Sequence, residues 1–225
     1  MQLSSFTQQV LKNYATINSN IVVRPGNVLM TMSEAKNILS QATVPEAFAN
    51  EFGIYDLPEF LSAMNLVDGP NLKFAADHAI ITDNSGRANI KYFFSDPDML
   101  TSPTKGISMP AAEVTFTLEE STLNNLKRAS AALGHSELAI TPSNGAVRLS
   151  IVDNANATSN VYSIDVDGSY QLEDFKFIIG IGNLRMIPAD YKVEISSKLI
   201  SQFTSTDDEK DLTYWVALEK SSTFN

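Results

Sequence analysis

Cysteine is absent from all 225 residues, which excludes disulfides, thiolate nucleophiles and Cys-ligated zinc. The lack fits a reducing compartment. Histidine is nearly absent too. His78 lies in a strand-like run and His135 just past an expected helix end, and neither has the spacing of a metal site or of a relay to a nucleophile. No GxxxxGK[ST] phosphate loop occurs, and Gly180-Ile181-Gly182 lacks the third glycine of a dinucleotide turn. No run of about 18 apolar residues exists, so no membrane-spanning helix is expected. Polar residues at positions 4–9 interrupt any secretion signal. These gaps point to a soluble intracellular protein with no catalytic residues, no cofactor and no bound metal.

The most telling absence is local. The chain has 26 acids against 16 Lys and Arg, a net charge of −10, yet no acid precedes Glu34. At that composition 33 residues should hold about four acids. Residues 121–136 and 175–189 are acid-free as well. Each window contains bases: Lys12 and Arg24, then Lys127 and Arg128, then Lys176 and Arg185. An acidic protein that clears acids from a few segments sorts its charge onto different surfaces, so that one surface can meet a polyanion while the rest repels it.

Two of these windows read as amphipathic helices. Leu3, Phe6, Val10, Leu11, Tyr14 and Ile17 form one apolar stripe over residues 4–18, with Ser4 as N-cap. Leu118, Thr122, Leu126, Ala129 and Leu133 form the other, with Glu119 and Glu120 in the first turn and Gly134 as the stop. Leu3 and Leu118, Leu11 and Leu126, and Lys12 and Lys127 are each 115 residues apart. Shorter helical signals follow at 57–67, capped by Asp56, and at 181–186, before Pro188. There Leu57 and Phe60 match Ile181 and Leu184 at an offset of 124.

Most of the remainder alternates like strand, for example at 20–24, 28–32, 72–76, 89–94, 137–141, 146–152, 161–166, 191–195 and 212–218. Turn chemistry separates these runs at Pro25-Gly26-Asn27, Asp83-Asn84-Ser85-Gly86, Ser143-Asn144-Gly145 and Asp167-Gly168. Residues 95–110 carry prolines 97, 103 and 110 and read as an extended connector. The expected fold is α+β: two similar domains, 1–95 and 111–225, joined by 96–110, each with two helices packed on antiparallel sheet.

Acid pairs at Asp165 and Asp167, beside Gly168, and at 207–211 fall short of a cation-binding loop and read as solvated surface. The helix bases are better candidates. Lys12 and Asn13 follow directly on Leu11, and Lys127 and Arg128 on Leu126, so both pairs should point away from the apolar stripes. So few cations cannot hold DNA tightly, because non-specific affinity needs many neutralised phosphates at once. Several copies would have to surround one duplex.

At these residues the sequence resembles the sliding clamps, or DNA polymerase processivity factors, of T-even-type bacteriophages. The resemblance runs through Leu11-Lys12-Asn13-Tyr14-Ala15-Thr16-Ile17-Asn18-Ser19, then Ile54-Tyr55-Asp56-Leu57 with Phe60-Leu61. It continues through Phe177-Ile178-Ile179, Asn183-Leu184-Arg185-Met186, Tyr191-Lys192 and Val216-Ala217-Leu218-Glu219. It implies a DNA clamp fold and a homotrimeric ring, with helices lining a hole that encircles double-stranded DNA without sequence preference. Lys12, Asn13, Lys127, Arg128 and Arg185 would face the duplex. The resemblance also implies a peptide pocket for the phage DNA polymerase, walled by Leu100, Ile107, Met109, Pro110, Tyr214, Val216 and Leu218. It further implies an ATP-dependent clamp loader, a role with late-transcription factors, and residence in the cytoplasm of the infected bacterial host. Gln2, Ser4, Ser5 and Ala131 stand where the family would add bases, so the hole should be less basic than in close relatives. A β-rich structural protein of the virion is the alternative reading.

Overall fold

The computed structural model describes residues 1–156 and 158–225. Contacts divide the chain into two compact units, Met1–Gly106 with Lys210–Leu212, and Ile107–Glu209 with Thr213–Asn225.

The first unit runs α1 (Ser5–Ile17), β1 (Ile21–Val23), β2 (Gly26–Met32), β3 (Ile38–Phe48), β4 (Phe52–Ile54), α2 (Leu57–Met64), β5 (Asn71–Phe74), β6 (His78–Thr82) and β7 (Asn89–Phe93). All its pairings are antiparallel: β1 with β4, β2 with β3, and β5–β6–β7 as a three-stranded sheet. Helix α1 begins where expected, with the Ser4 hydroxyl accepting the Thr7 N–H at 3.1 Å. It buries Thr7, Val10, Leu11, Tyr14 and Ile17 and packs on β2, β3 and α2. Four phenylalanines, Phe48, Phe52, Phe74 and Phe94, close this core, with the Phe52 and Phe94 rings stacked at 4.5 Å.

The second unit runs β8 (Val114–Leu118), α3 (Glu120–Leu133), β9 (Glu137–Ser143), β10 (Ala146–Val152), β11 (Tyr162–Val166), β12 (Gly168–Tyr170), β13 (Phe175–Gly180), a 3-10 turn (Ile181–Asn183), β14 (Tyr191–Ser196), β15 (Ile200–Ser205), β16 (Leu212–Ala217) and β17 (Thr223–Phe224). Its strands make two antiparallel arrays, β11–β10–β9–β13–β17 and β12–β8–β14–β15–β16. Asn144 and Gly145 both have positive φ, as a two-residue hairpin turn between β9 and β10 requires.

Several expectations change. The second unit has one α-helix, not two. Gly180 and Gly182 flank the start of the expected helix and Pro188 closes it, leaving room for a single 3-10 turn. Helix α2 stops at Met64, three residues early, because Leu66 finds nothing to pack on and is 77% exposed. Leu118 ends β8, paired with Tyr191, instead of opening the helix, and Leu123 takes its place on the apolar stripe. Asp167-Gly168 is no hairpin turn. Gly168 is the corner where the chain leaves one sheet for the other, pairing with Phe116 so closely that a Cβ would meet Thr115 O at 2.7 Å. Strand β3 contains Pro45. That proline lies where the β2 register slips, so no ladder donor is missed.

Candidate nucleic-acid interface

The outer face of α1 carries a polar stripe. Ser5, Gln9, Lys12 and Thr16 are all exposed and follow at steps of four, three and four, so they share one face; exposed Ser19 follows after Asn18, where the backbone turns extended. Every member is polar, one is a cation and none is an acid. Three anchors hold the face in place. Glu46 on β3 accepts hydrogen bonds from the Ser4 N–H and the Thr7 hydroxyl. The fully buried Tyr14 hydroxyl meets Ser40 Oγ at 3.1 Å. Leu57 N–H donates to Ser19 O at 2.7 Å and ties the start of α2 to the chain just past α1. Burial pushes Glu46 up, but the hydrogen bonds from Thr7 and Ser4 outweigh it and hold the carboxyl below its ordinary range. Lys12 stands exposed with no partner among the described residues, and Asn13 beside it is half-buried.

In the second unit α3 turns Thr122, Leu123 and Leu126 inward, against β10. It presents Ser121, Asn124, Arg128 and Ala131 to solvent. Its first N–H groups are served from a distance, Glu120 N–H donating to Asp190 Oδ1 at 2.8 Å. Gly134, at φ 71°, closes the other end. Arg128 is exposed, and its guanidinium donates to Asn125 Oδ1. Lys127 departs from expectation. It does not point away from the apolar stripe but is half-buried, without a partner among the described residues, and that burial lowers its pKa. Arg185 is exposed on the loop after the 3-10 turn, its Nε donating to Gly182 O at 3.0 Å. Ile181 N–H to Ser136 O at 2.8 Å lays that turn beside the end of α3. The loop is pinned by buried Ile187, whose carbonyl accepts from Tyr191 OH at 2.5 Å and whose N–H donates to Tyr214 OH at 3.2 Å. Lys127 and Arg128 lie mid-helix on α3 and Arg185 on the loop beside its C-terminal end. The acid-free windows contain α1, α3 and this loop, together with β1, β2 and β13, and two of their bases are engaged elsewhere, Arg24 with Glu51 and Lys176 with Asn154.

The expected peptide-pocket residues scatter in burial. Ile107 is exposed, while Leu100, Met109 and Pro110 are half-buried. Tyr214 and Val216 have no exposed surface, and Leu218 is 6% exposed. Tyr214 acts as core and as scaffold for the Arg185 loop, so neither it nor Val216 forms an open wall. Sequence reasoning passed over Met99, which is 84% exposed, and Tyr55, which is 71% exposed. Tyr55 stands in the sequence only as part of a stretch that carries the resemblance, and only the packing shows that it is left uncovered among the described residues. The two histidines are held locally, His78 by Asp77 at 2.6 Å and His135 by Asn160 O at 3.0 Å. Asp165 is gripped by Arg148 through two hydrogen bonds of 2.7 and 2.9 Å, and Arg148 holds its carboxyl below the usual range. No helix among the described residues is long and apolar enough to cross a membrane.

The architecture is that of the DNA clamps. Proliferating Cellular Nuclear Antigen from Entamoeba histolytica superposes with a TM-score of 0.69 over 95% of this chain and 94% of that one; at 12% identity the likeness concerns fold alone. Residues 4–94 match the family model described as DNA polymerase processivity factor, and residues 115–220 match gp45 sliding clamp, C terminal. Sliding clamps of Vibrio phage KVP40, Enterobacteria phage T4 and Escherichia phage RB69 are each 30% identical. They align over 97%, 99% and 99% of this chain and 99% of each relative. The chain belongs to this family, the sliding clamps and DNA polymerase processivity factors of T4-type phages. That membership sets aside the reading as a virion structural protein.

Proposed function

We propose that three copies of this chain close head to tail into a ring around duplex DNA and tether the phage DNA polymerase, with no catalytic step of their own. The observation that carries the reading is that the exposed faces of α1, of α3 from Ser121 onward and of the Arg185 loop carry cations and no acid in an otherwise acidic chain. In a ring, Lys12, Asn13, Lys127, Arg128 and Arg185 face the duplex, twelve cations in all. A ring about 30 Å thick spans roughly 18 phosphates at one per ~1.7 Å, so neutralisation is partial and the duplex can slide. The acidic remainder discourages binding outside the hole. Retention is topological.

Open sheet edges support the head-to-tail seam. The β5 edge is occupied by Met1, which exchanges hydrogen bonds with Leu72, whereas among the described residues β7 has a strand partner only in β6. In the other unit β11 pairs, among the described residues, only with β10. Exposed Phe93 on β7 and Val161 beside β11 add apolar surface to both edges. Residues 96–110 act as the connector between domains 1–95 and 111–225. Ile107, Met109 and Pro110 are the connector residues offered to polymerase peptides. An ATP-dependent loader opens the ring, and late-transcription factors use the same surface in the cytoplasm of the infected bacterium.

Light scattering should return three times the 24.6 kDa chain mass. With loader and ATP, the protein should stay on nicked circular duplex and run off the same duplex once linearised. A monomer in solution, or equal retention on both DNAs, would overturn the reading.

A further inference from the structure

Tyr55 belongs to a stretch that carries the family resemblance, yet nothing in the fold requires a tyrosine there. Five of the seven tyrosines have engaged hydroxyls: Tyr14 with Ser40, Tyr92 with Asp56 O, Tyr170 with Gly145 N–H, Tyr191 with Ile187 O and Tyr214 with Ile187 N–H. Of the other two, Tyr162 is half-buried, and Tyr55 is 71% exposed with no hydrogen-bond partner among the described residues. Its neighbours Ile54 and Leu57 are buried, at 2% and 0% exposure, so the backbone at Tyr55 is held firmly while the side chain projects.

Its position is informative. Ile54 pairs with Ile21, which places Tyr55 beside Asn20, just past exposed Ser19. The Leu57 to Ser19 hydrogen bond fixes that junction from the other side. Lys12 and Thr16 are one helical turn apart, about 6 Å, close to the spacing of successive phosphates, and exposed Ser19 and Tyr55 follow beyond the C-terminal end of the helix. The nearest acid, Asp56, has its carboxylate accepting the Glu59 N–H at 2.8 Å as the α2 cap, where the helix N-terminus offsets its charge.

We infer that Tyr55 is a DNA-contacting residue that extends the α1 track beyond the helix, its hydroxyl donating to a phosphate oxygen of the duplex. The inference rests on the DNA-encircling reading of α1. A phenol suits a sliding surface, because it gives a phosphate a directional donor without releasing a counterion. Chemistry therefore separates Tyr55 from Lys12. Removing a neutral donor lowers affinity by a constant factor at every salt concentration, whereas removing a cation flattens the salt dependence.

The test compares wild type, Tyr55→Phe and Lys12→Gln by fluorescence anisotropy on a labelled linear duplex across a salt series, with loader-dependent retention on nicked circles as a second readout. Tyr55→Phe keeps the ring and loses only the hydroxyl, so folding is preserved. It should bind about fivefold more weakly with an unchanged slope, while Lys12→Gln flattens the slope. Wild-type affinity for Tyr55→Phe alongside a flattened slope for Lys12→Gln overturns the assignment of Tyr55 and leaves the clamp reading intact. A loss of polymerase stimulation by Tyr55→Phe with DNA binding untouched assigns the residue to a protein partner and also overturns it. Failure of wild type to be retained on circles overturns the reading beneath it.

Discussion

Lys127 carries a burden that its neighbours on α3 do not. It is half-buried beside Leu123 and Leu126, lacks an acceptor among the described residues, and has its pKa lowered by that burial alone. Lys127→Met keeps the length of the apolar stem and deletes the charge, so the folded chain no longer holds a partly desolvated ammonium. Discounting the part that water still screens leaves a gain of about 0.5–1 kcal/mol, or a Tm rise of roughly 1–4 °C for a chain of this size. The gain depends on pH with a definite sign. Below the lowered folded pKa, Lys127 is charged in both states and the folded state alone bears the desolvation cost, so the variant's advantage is complete. As pH rises through the folded pKa toward the ordinary 10.5, the wild type sheds its proton more readily when folded and the advantage disappears. Function should move the other way. If the three copies in a ring all meet phosphate, the slope of log affinity against log salt falls in magnitude by about 2.7. Calorimetry at matched protein concentration and anisotropy on linear duplex read the two effects. A variant that is less stable than wild type at neutral pH, or more stable with an unchanged salt slope, refutes the placement of Lys127 as a strained cation kept for DNA.

Two stability predictions concern the scaffold. Glu46→Gln weakens the charge-assisted hydrogen bonds to Ser4 and Thr7 and should cost about 1–2 kcal/mol at neutral pH. Because the folded pKa of Glu46 is depressed, the wild-type benefit is present above 4.5 and lost as pH falls through the folded value. The two proteins should therefore converge in acid, and a constant gap across that range contradicts the geometry. Gly168→Ala would press a Cβ to within 2.8 Å of Phe116 Cβ and Val147 Cγ2 and should destabilise by about 1–3 kcal/mol. An unchanged denaturant midpoint would show that the corner between β11 and β12 is looser than described.

Much of the local structure beneath the candidate interface was legible before any fold was known. The apolar steps from Val10 to Ile17 phased α1 correctly, because a helix face is written by neighbours three and four apart. Ser4 and Gly134 marked helix ends through local capping chemistry, and Asn144-Gly145 marked a hairpin through positive φ. The 115-residue offset held as well, since α1 opens at Ser5 and α3 at Glu120. Charge sorting was the most robust signal, because an acid-free window remains acid-free whatever the chain does.

Other properties depended on what arrived from far along the chain. Leu118 carried the same periodic signal as Leu126, and only pairing with Tyr191 made it strand. Tyr214 is a wall residue only by resemblance, and its alternation does not say what covers it; in the structure it has no exposed surface and its hydroxyl accepts from Ile187 N–H. Lys127 and Arg128 are adjacent in sequence, and α3's seat on β10 makes one half-buried and leaves the other in water. Local pattern thus determined the core of α1 and α3, the Asn144-Gly145 turn and the sorting of charge, since these need only residues within a turn or two, whereas the expected helix at 181–186 and the turn at Asp167-Gly168 gave way to packing. Burial and the exposure of Tyr55 were decided by tertiary packing, because the free energy of covering a side chain depends on partners that sequence neighbours do not supply.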